Sequence, residues 1–268
     1  MNPVVTLLSD YGRDDDFVGV CHGVIVGICP DARIIDITHG IRRYQVRQGA
    51  LVLRNTLPYM PAGVHMAVVD PQVGTERRGV AVRCGDGRLL VGPDNGLLSL
   101  TWERFGGVDL AVDISRSPHR LEPVSATFHG RDVFAPVAAH LAAGAEPAAA
   151  GEPVEPGELA RVELPVARRE GDGLLAHVLV TDRFGNAGLN VDHEGLAGTG
   201  LTLGGTVELE VKGERYLGTY AHTFADVKPG ELLVYEDAYR TLAVAINRGD
   251  AAGTLGLEPD TEVVLRPR

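Results

Sequence analysis

Residues Val68 to Arg78 read VVDPQVGTERR, and the fold is best read outward from them. The run before them, His65 to Val69, is short, apolar and partly β-branched, which suits a buried strand. It ends at Asp70-Pro71, where proline cannot continue a strand ladder. An acid at the end of a buried strand, beside a turn containing Gly74, is where α/β proteins place their chemistry. Arg77 lies close enough along the chain to fold back toward Asp70. Taken alone, the stretch reads more simply as a turn acid paired with a surface arginine. Two further stretches shift that balance. Leu8 to Gly12, LSDYG, is again a strand-like run ending in an acid, Asp10. Thr127 to Asp132, TFHGRD, approaches His129 through an apolar residue and leaves through a glycine. Three separate segments thus bring a polar group to the end of a hydrophobic element.

Strand and helix signals alternate through the first half. Val4–Leu8 and Ile34–Ile37 read as strands, and Phe17–Ile28 as an apolar helix behind three acids that suit its positive dipole end. Val46, Ala50, Leu53 and Leu57 recur at helical spacing, predicting an amphipathic helix over Tyr44–Leu57. Val80–Arg83 and Leu89–Val91 read as a strand pair, followed by the dense turn signal GPDNG at 92–96. Phe134, Val137, Ala138 and Leu141 form another helical stripe. This order predicts an α/β domain with a largely parallel sheet and covering helices.

Residues 142–163 change character, with prolines and glycines among alanines and glutamates. The expected division is a domain over 1–150, a linker over 151–165 and a second domain over 166–268. The second domain is all-β: Leu174–Val180, the alternating Val207, Leu209 and Val211, Glu231–Tyr235, Thr241–Ile246 and Glu262–Leu265 have sandwich or barrel spacing.

The chain has 268 residues, enough for one large domain or two small ones, with ordinary hydrophobic (44%) and charged (23%) content. A net charge of −11 argues against nucleic acid, which rewards basic patches. Three widely spaced cysteines, Cys21, Cys29 and Cys84, with no CxxC, suggest neither a disulfide framework nor a zinc site. The sequence opens on a strand-like VVTLL, without a signal-peptide pattern or an apolar run of about 18 residues. A cytoplasmic protein without membrane contact is expected.

Five motifs together resemble a known family: LSDYGxxDxFVG at 8–19, VVDPxVGTxRR at 68–78, GPDNGLL at 92–98, FHGRDxFAPxAAHLA at 128–142 and DRFGN at 182–186. They are similar to those of the S-adenosylmethionine (SAM) hydroxide adenosyltransferases, or SAM hydrolases, sisters of the SAM-dependent fluorinases and chlorinases. The resemblance covers essentially the whole chain, including the closing YEDAYRTLAVAINRGDAAGTLGL. It implies an N-terminal α/β domain, a C-terminal barrel-like β domain, and a homotrimer with SAM bound between subunits. It implies that Asp70, Arg77 and His129 activate water, that Asp10 binds ribose, and that the segment holding Asp182, Phe184 and Asn186 meets adenine and methionine. Two departures stand out: His22 occupies a position where relatives usually have lysine, and Gln72 one where they usually have glycine. Gly188 replaces an aromatic found in the halogenases.

The implied reaction is attack by water or hydroxide on ribose C5′, releasing methionine from the sulfonium and leaving adenosine. SAM is the substrate, and no cofactor or metal is expected. The leaving group is already activated, whereas bulk water, with a pKa of about 15.7, is the difficult nucleophile. Asp70 can accept a proton or orient the water, and Arg77 and His129 can donate hydrogen bonds to developing hydroxide. The residues do not single out one base. Asp10 can accept from two vicinal hydroxyls or serve as a turn acid. Asp15 can join it or favour the helix dipole. Asn95 can approach the methionine end or simply complete its turn. Phe128 joins the substrate-binding set, and Phe184 can stack on adenine or belong to the barrel core. Other readings are a SAM halogenase, a non-catalytic SAM or adenosine binder, and, more distantly, a metallohydrolase using Asp10, Asp70 and His129. Asp70 and His129 disfavour the halogenase.

Overall fold

A computed structural model describes residues 3–268 as two compact units, one reaching Val162 and the other spanning Glu163–Arg268. The first unit is built on a 7-stranded sheet of β1 (Val4–Ser9), β2 (Arg33–Thr38), β3 (Val64–Val68), β4 (Gly79–Cys84), β5 (Leu89–Pro93), β6 (Val108–Asp113) and β7 (Glu152–Pro153), in the order β2-β1-β3-β5-β4-β6-β7. The four strands β2, β1, β3 and β5 run parallel, and β4, β6 and β7 extend the sheet antiparallel. The parallel strands are apolar on both faces because both faces are covered. Val5, Leu7, Val64, Met66 and Val68 face a core shared with helices α1 (Phe17–Ile28) and α4 (Ala135–Ala142). Leu8, Ala67 and Val69 point the other way, toward α2 (Val46–Thr56) and α3 (Ser99–Arg104). Cys21, Cys29 and Cys84 are free and buried, as a core role requires.

Two differences from the sequence reading have local causes. Helix α2 starts at Val46 rather than Tyr44, because Tyr44 takes a left-handed backbone (φ 67°) and donates its N–H to Asp10 Oδ2 at 3.0 Å. Residues 151–165, where the sequence places a linker, supply β7 and bury Val154 and Leu159 in the first unit's core. Ala160 N–H and Val162 N–H bond to Asp94 Oδ1 and Ser99 Oγ.

The second unit is a closed barrel. Its strands are β8 (Arg168–Glu170), β9 (Gly173–Thr181), β10 (Ala187–Asp192), β11 (Thr206–Val211), β12 (Glu214–Tyr220), β13 (Leu232–Glu236), β14 (Thr241–Ile246) and β15 (Glu262–Pro267). Pairing runs β10-β14-β13-β12-β11-β15-β9, and β10 pairs back onto β9, leaving only β8 outside the ring. Alternate residues such as Val207, Leu209 and Val211 fill the interior. Closure removes the exposed edges that an open sheet would present. Among the described residues no helix is long and apolar enough to cross a membrane.

Candidate active site

In the first unit, β1 and β3 are parallel neighbours with Ser9 paired to Val68, so the residues that follow emerge at one carboxyl edge of the sheet. Asp10 follows β1 and Asp70 follows β3. Crevices at this edge are the usual ligand sites of open α/β sheets. Asp70 and Arg77 are almost fully desolvated, with side chains 5% and 4% exposed. Arg77 Nε donates to Asp70 Oδ1 at 3.2 Å, and Nη2 donates to Oδ2, a two-pronged pair. Arg77 Nη2 also lies 3.2 Å from His129 Nδ1. The three residues named in the sequence therefore form one connected chain, and the surface ion-pair reading of Asp70–Arg77 gives way to a buried one.

That chain fixes the state of His129. A guanidinium can only donate, so Nδ1 must be the acceptor, and a neutral ring then carries its proton on Nε2. Burial, reinforced by the Arg77 charge, pushes the His129 pKa below its ordinary value. His129 is thus held as a neutral donor through Nε2.

Backbone packing holds the parts in register. Gly74 has φ 79°, and a Cβ there would stand 2.3 Å from Ala126 O, so only glycine lets the Asp70–Arg77 loop close on the segment entering His129. After His129 the chain makes a π-helical turn over Gly130–Phe134 before α4, a distortion that often re-aims residues at functional sites. Buried Asp132 fastens this turn, accepting from Ser125 N–H at 2.8 Å and from Arg131. Phe128 packs edge-on to Tyr11 and Phe17, with centroids 6.0 and 5.0 Å away.

The remaining candidates in this unit divide. Asp10 is half-buried, and its carboxyl pKa is raised, chiefly by burial and further by the Asp70 charge, against the pull of the Tyr44 N–H bond. Asp15 is exposed beside Arg13 and Asp16 in a shallow depression. Asp16 sits at the N-cap of α1 without a side-chain cap bond. Asn95 uses both ends of its amide on backbone: Nδ2 donates to Val69 O at 2.8 Å, and Oδ1 accepts from Leu97 N–H at 3.2 Å.

In the second unit, Asp182 organises the DRFGN turn. Its Oδ1 accepts from the N–H groups of Phe184 and Asn186 at 2.8 and 3.0 Å, and its Oδ2 from Asn186 Nδ2 at 2.8 Å. This leaves Phe184 on the surface, 69% exposed, which rules out a barrel-core role. Asp182, Phe184 and Asn186 line a cavity of about 690 Å³ together with Phe224, Tyr235 and Arg248. Phe224 and Tyr235 meet at a tilt of 55° with ring centres 4.9 Å apart, and burial followed by the Asp182 charge pushes the Tyr235 hydroxyl up to about 12. An apolar cavity with a few polar groups and exposed aromatic faces suits a flat heterocycle.

Sequence reasoning missed Tyr11, Phe224 and Tyr235. Tyr11 had a signal: it follows Asp10 directly, and its ring fills the space beside Gly130, where a Cβ would be 2.1 Å from Tyr11 Oη. Phe224 had none, since barrel closure alone brings it to the DRFGN turn, whereas Tyr235 opens the closing YEDAYRTLAVAINRGDAAGTLGL run that carries the resemblance.

Comparison with known proteins yields consistent matches. Residues 5–151 match the SAM hydroxide adenosyltransferase N-terminal domain, and residues 176–264 match its C-terminal domain. An (R)-S-adenosyl-L-methionine hydrolase from Salinispora tropica is 49% identical over 96% of this chain and 95% of its own. A Thermus thermophilus protein of the same name is 40% identical over 99% of this chain and 100% of its own. A fluorinase from an Actinoplanes species is more distant, at 28% identity over 98% of this chain and 97% of its own. The crystal structure of an uncharacterized conserved protein from Thermotoga maritima superimposes with a TM-score of 0.91 at 32% identity, covering 98% of this chain and 99% of that one.

Proposed function

Because this chain belongs to the SAM hydroxide adenosyltransferase family, we propose that it hydrolyses S-adenosyl-L-methionine to adenosine and L-methionine. The observation that carries the reading is the buried Asp70–Arg77–His129 chain at the carboxyl edge of the parallel strands. The water oxygen forms a bond to C5′ while the C5′–S bond breaks, and its electron pair leaves with methionine as a neutral thioether. One proton is released. Arg77 occupies one acceptor position on each Asp70 oxygen, and each oxygen keeps a further lone pair for the water. Asp70 is then the group that orients the nucleophile and receives its proton. His129, a donor at Nε2, stabilises the developing hydroxide, with Arg77 holding the ring in that tautomer. Attack by an anionic nucleophile on a sulfonium cancels charge, so excluding water favours it. No cofactor or metal enters the reaction, since the sulfonium is its own activated leaving group.

Asp10, joined by Asp15 further along the same loop, takes the ribose hydroxyls, and Phe184 supplies a stacking face for adenine on a turn built by Asp182 and Asn186. Phe128 holds the His129 segment, and Asn95 holds the turn after β5. The assembly that fits this reading is a cytoplasmic homotrimer, in which the first unit of one chain and the second unit of another share one substrate. Co-expressed Asp70→Ala and Asn186→Ala chains, each inactive alone, should then regain part of the activity.

The direct test is incubation of purified protein with SAM and chromatography for adenosine and methionine. The curated relatives are named for the R configuration at sulfur, so both sulfonium epimers should be supplied separately. Absence of both products from either epimer would leave a binding protein. A 5′-halo-adenosine formed in halide buffer would favour the halogenase branch.

A further inference from the structure

Outside the groups assigned to hydrolysis, three side chains converge from different elements. His22 lies on α1, Asp36 on β2, and His39 just beyond the end of β2. His22 Nε2 is 2.9 Å from Asp36 Oδ1, and His39 Nε2 is 3.1 Å from the same oxygen. One ligand atom from each residue lies within 4.8 Å of the others.

His39 carries the second observation. Its side chain is 1% exposed, and its Nε2, 3.1 Å from Asp36 Oδ1, lacks a well-aligned hydrogen bond. A buried polar atom without an aligned partner calls for an explanation. On the far side of the ring, His39 Nδ1 is 2.7 Å from Ser9 Oγ. In the tautomer that donates Nδ1–H to Ser9, the Nε2 lone pair is available to ligate a cation beside Asp36. An imidazole whose second nitrogen is anchored by hydrogen bonding is also the usual form of a metal-binding histidine.

We propose that His22, Asp36 and His39 form a binding site for a divalent cation of the Zn²⁺ class. Two imidazoles and one carboxylate suit Zn²⁺ and Co²⁺ better than Mg²⁺ or Ca²⁺. Tetrahedral bonds near 2.0–2.1 Å place ligand atoms about 3.3 Å apart, close to the 2.9 and 3.1 Å that separate the two imidazole nitrogens from Asp36 Oδ1. His22 and Asp36 are partly open, 33% and 24% exposed, which leaves a fourth position for water. Asp15 and Asp16 line the depression beside Asp36 and attract a cation, while Arg13, 3.8 Å from Asp36 Oδ2, is 72% exposed and readily displaced.

The bound ion would tie α1 to the ends of β1 and β2, since Gly12 N–H also bonds to His39 O at 2.8 Å. Its role is structural, and the proposal stands independently of the hydrolysis reading because none of the three ligands belongs to the Asp70–Arg77–His129 chain.

The full-length chain, stripped with chelator and dialysed, is titrated calorimetrically with ZnCl₂. One equivalent per chain is expected, with a rise in the thermal midpoint. His22→Lys supplies a fixed ammonium to Asp36 in place of the ion, and Asp36→Asn removes the carboxylate charge. Both variants should fold, and both should lose at least ten-fold in Zn²⁺ affinity together with the thermal shift. His193→Ala, at the separate His193–Glu236 pair, should bind as the wild type does. Failure of the wild-type chain to bind Zn²⁺, or undiminished binding by either ligand variant, overturns the proposal.

Discussion

Replacing Arg77 by alanine tests whether the central pair is buried as described. The side chain donates twice to Asp70 and once to His129, and its guanidinium lies 5.4 Å from the Phe134 ring centre. Because Asp70 is 5% exposed, the variant leaves a largely desolvated carboxylate without its cation. Removing one partner of a buried pair costs about 3–5 kcal/mol. For a unit of this size, at roughly 2–4 °C per kcal/mol, the thermal midpoint should fall by about 6–20 °C. The double variant Arg77→Ala/Asp70→Asn removes the orphaned charge and should recover at least about 1 kcal/mol. Urea unfolding of the four proteins, completed by Asp70→Asn alone, gives the coupling. Hydrolysis by Arg77→Ala should drop by at least about 100-fold, because His129 loses the donor that sets its tautomer. A loss of stability under about 1 kcal/mol, the range of exposed pairs, would refute the buried-pair account.

Acid should weaken the fold through His65. This buried ring, 3.0 Å from Thr6 Oγ1, has its pKa lowered to about 4 by burial, with Arg88 adding to the effect. The unfolded chain therefore takes up the proton first as pH falls, so stability present above 6.5 is lost between 6.5 and about 4, by up to roughly 3 kcal/mol. His65→Gln should flatten that part of the curve, and an unchanged slope would exclude His65 as its source. Gly74→Ala, whose Cβ meets Ala126 O at 2.3 Å in a left-handed backbone, should cost about 1–3 kcal/mol and lower turnover, read by calorimetry and product assay. Asp182→Ala removes three hydrogen bonds from the DRFGN turn and should weaken adenosine binding at least ten-fold, whereas wild-type affinity in this variant would detach the turn from the ligand.

Much of this was legible because strand ends and glycine turns leave local signatures. The LSDYG and VVDP runs each announce a buried strand followed by an acid, and parallel pairing of β1 with β3 does the rest. Adjacent arginines are harder to tell apart. Arg77 turns inward, 4% exposed, while Arg78 spans Asp94 and Glu158 at 32% exposure, a choice made by tertiary packing. Strand β10 was missed although Ala187, Leu189 and Val191 alternate inward as in β11, because Gly188 and Asn190 have low strand propensity, yet it closes the barrel. The half-exposed β12 reads as polar loop for a similar reason. The π-helical turn after His129 was invisible because the helical stripe begins only at Phe134. His22, Asp36 and His39 share no metal-binding spacing, since helix α1 has to pack beside β2 before they meet.

In the proposed reaction, water placed by Asp70 and His129 attacks C5′. Turnover of SAM in oxygen-18 water, with mass analysis of the isolated adenosine, tests it most directly. One ¹⁸O atom is expected at the adenosine 5′-hydroxyl and none in methionine. Adenosine formed without the label would contradict it.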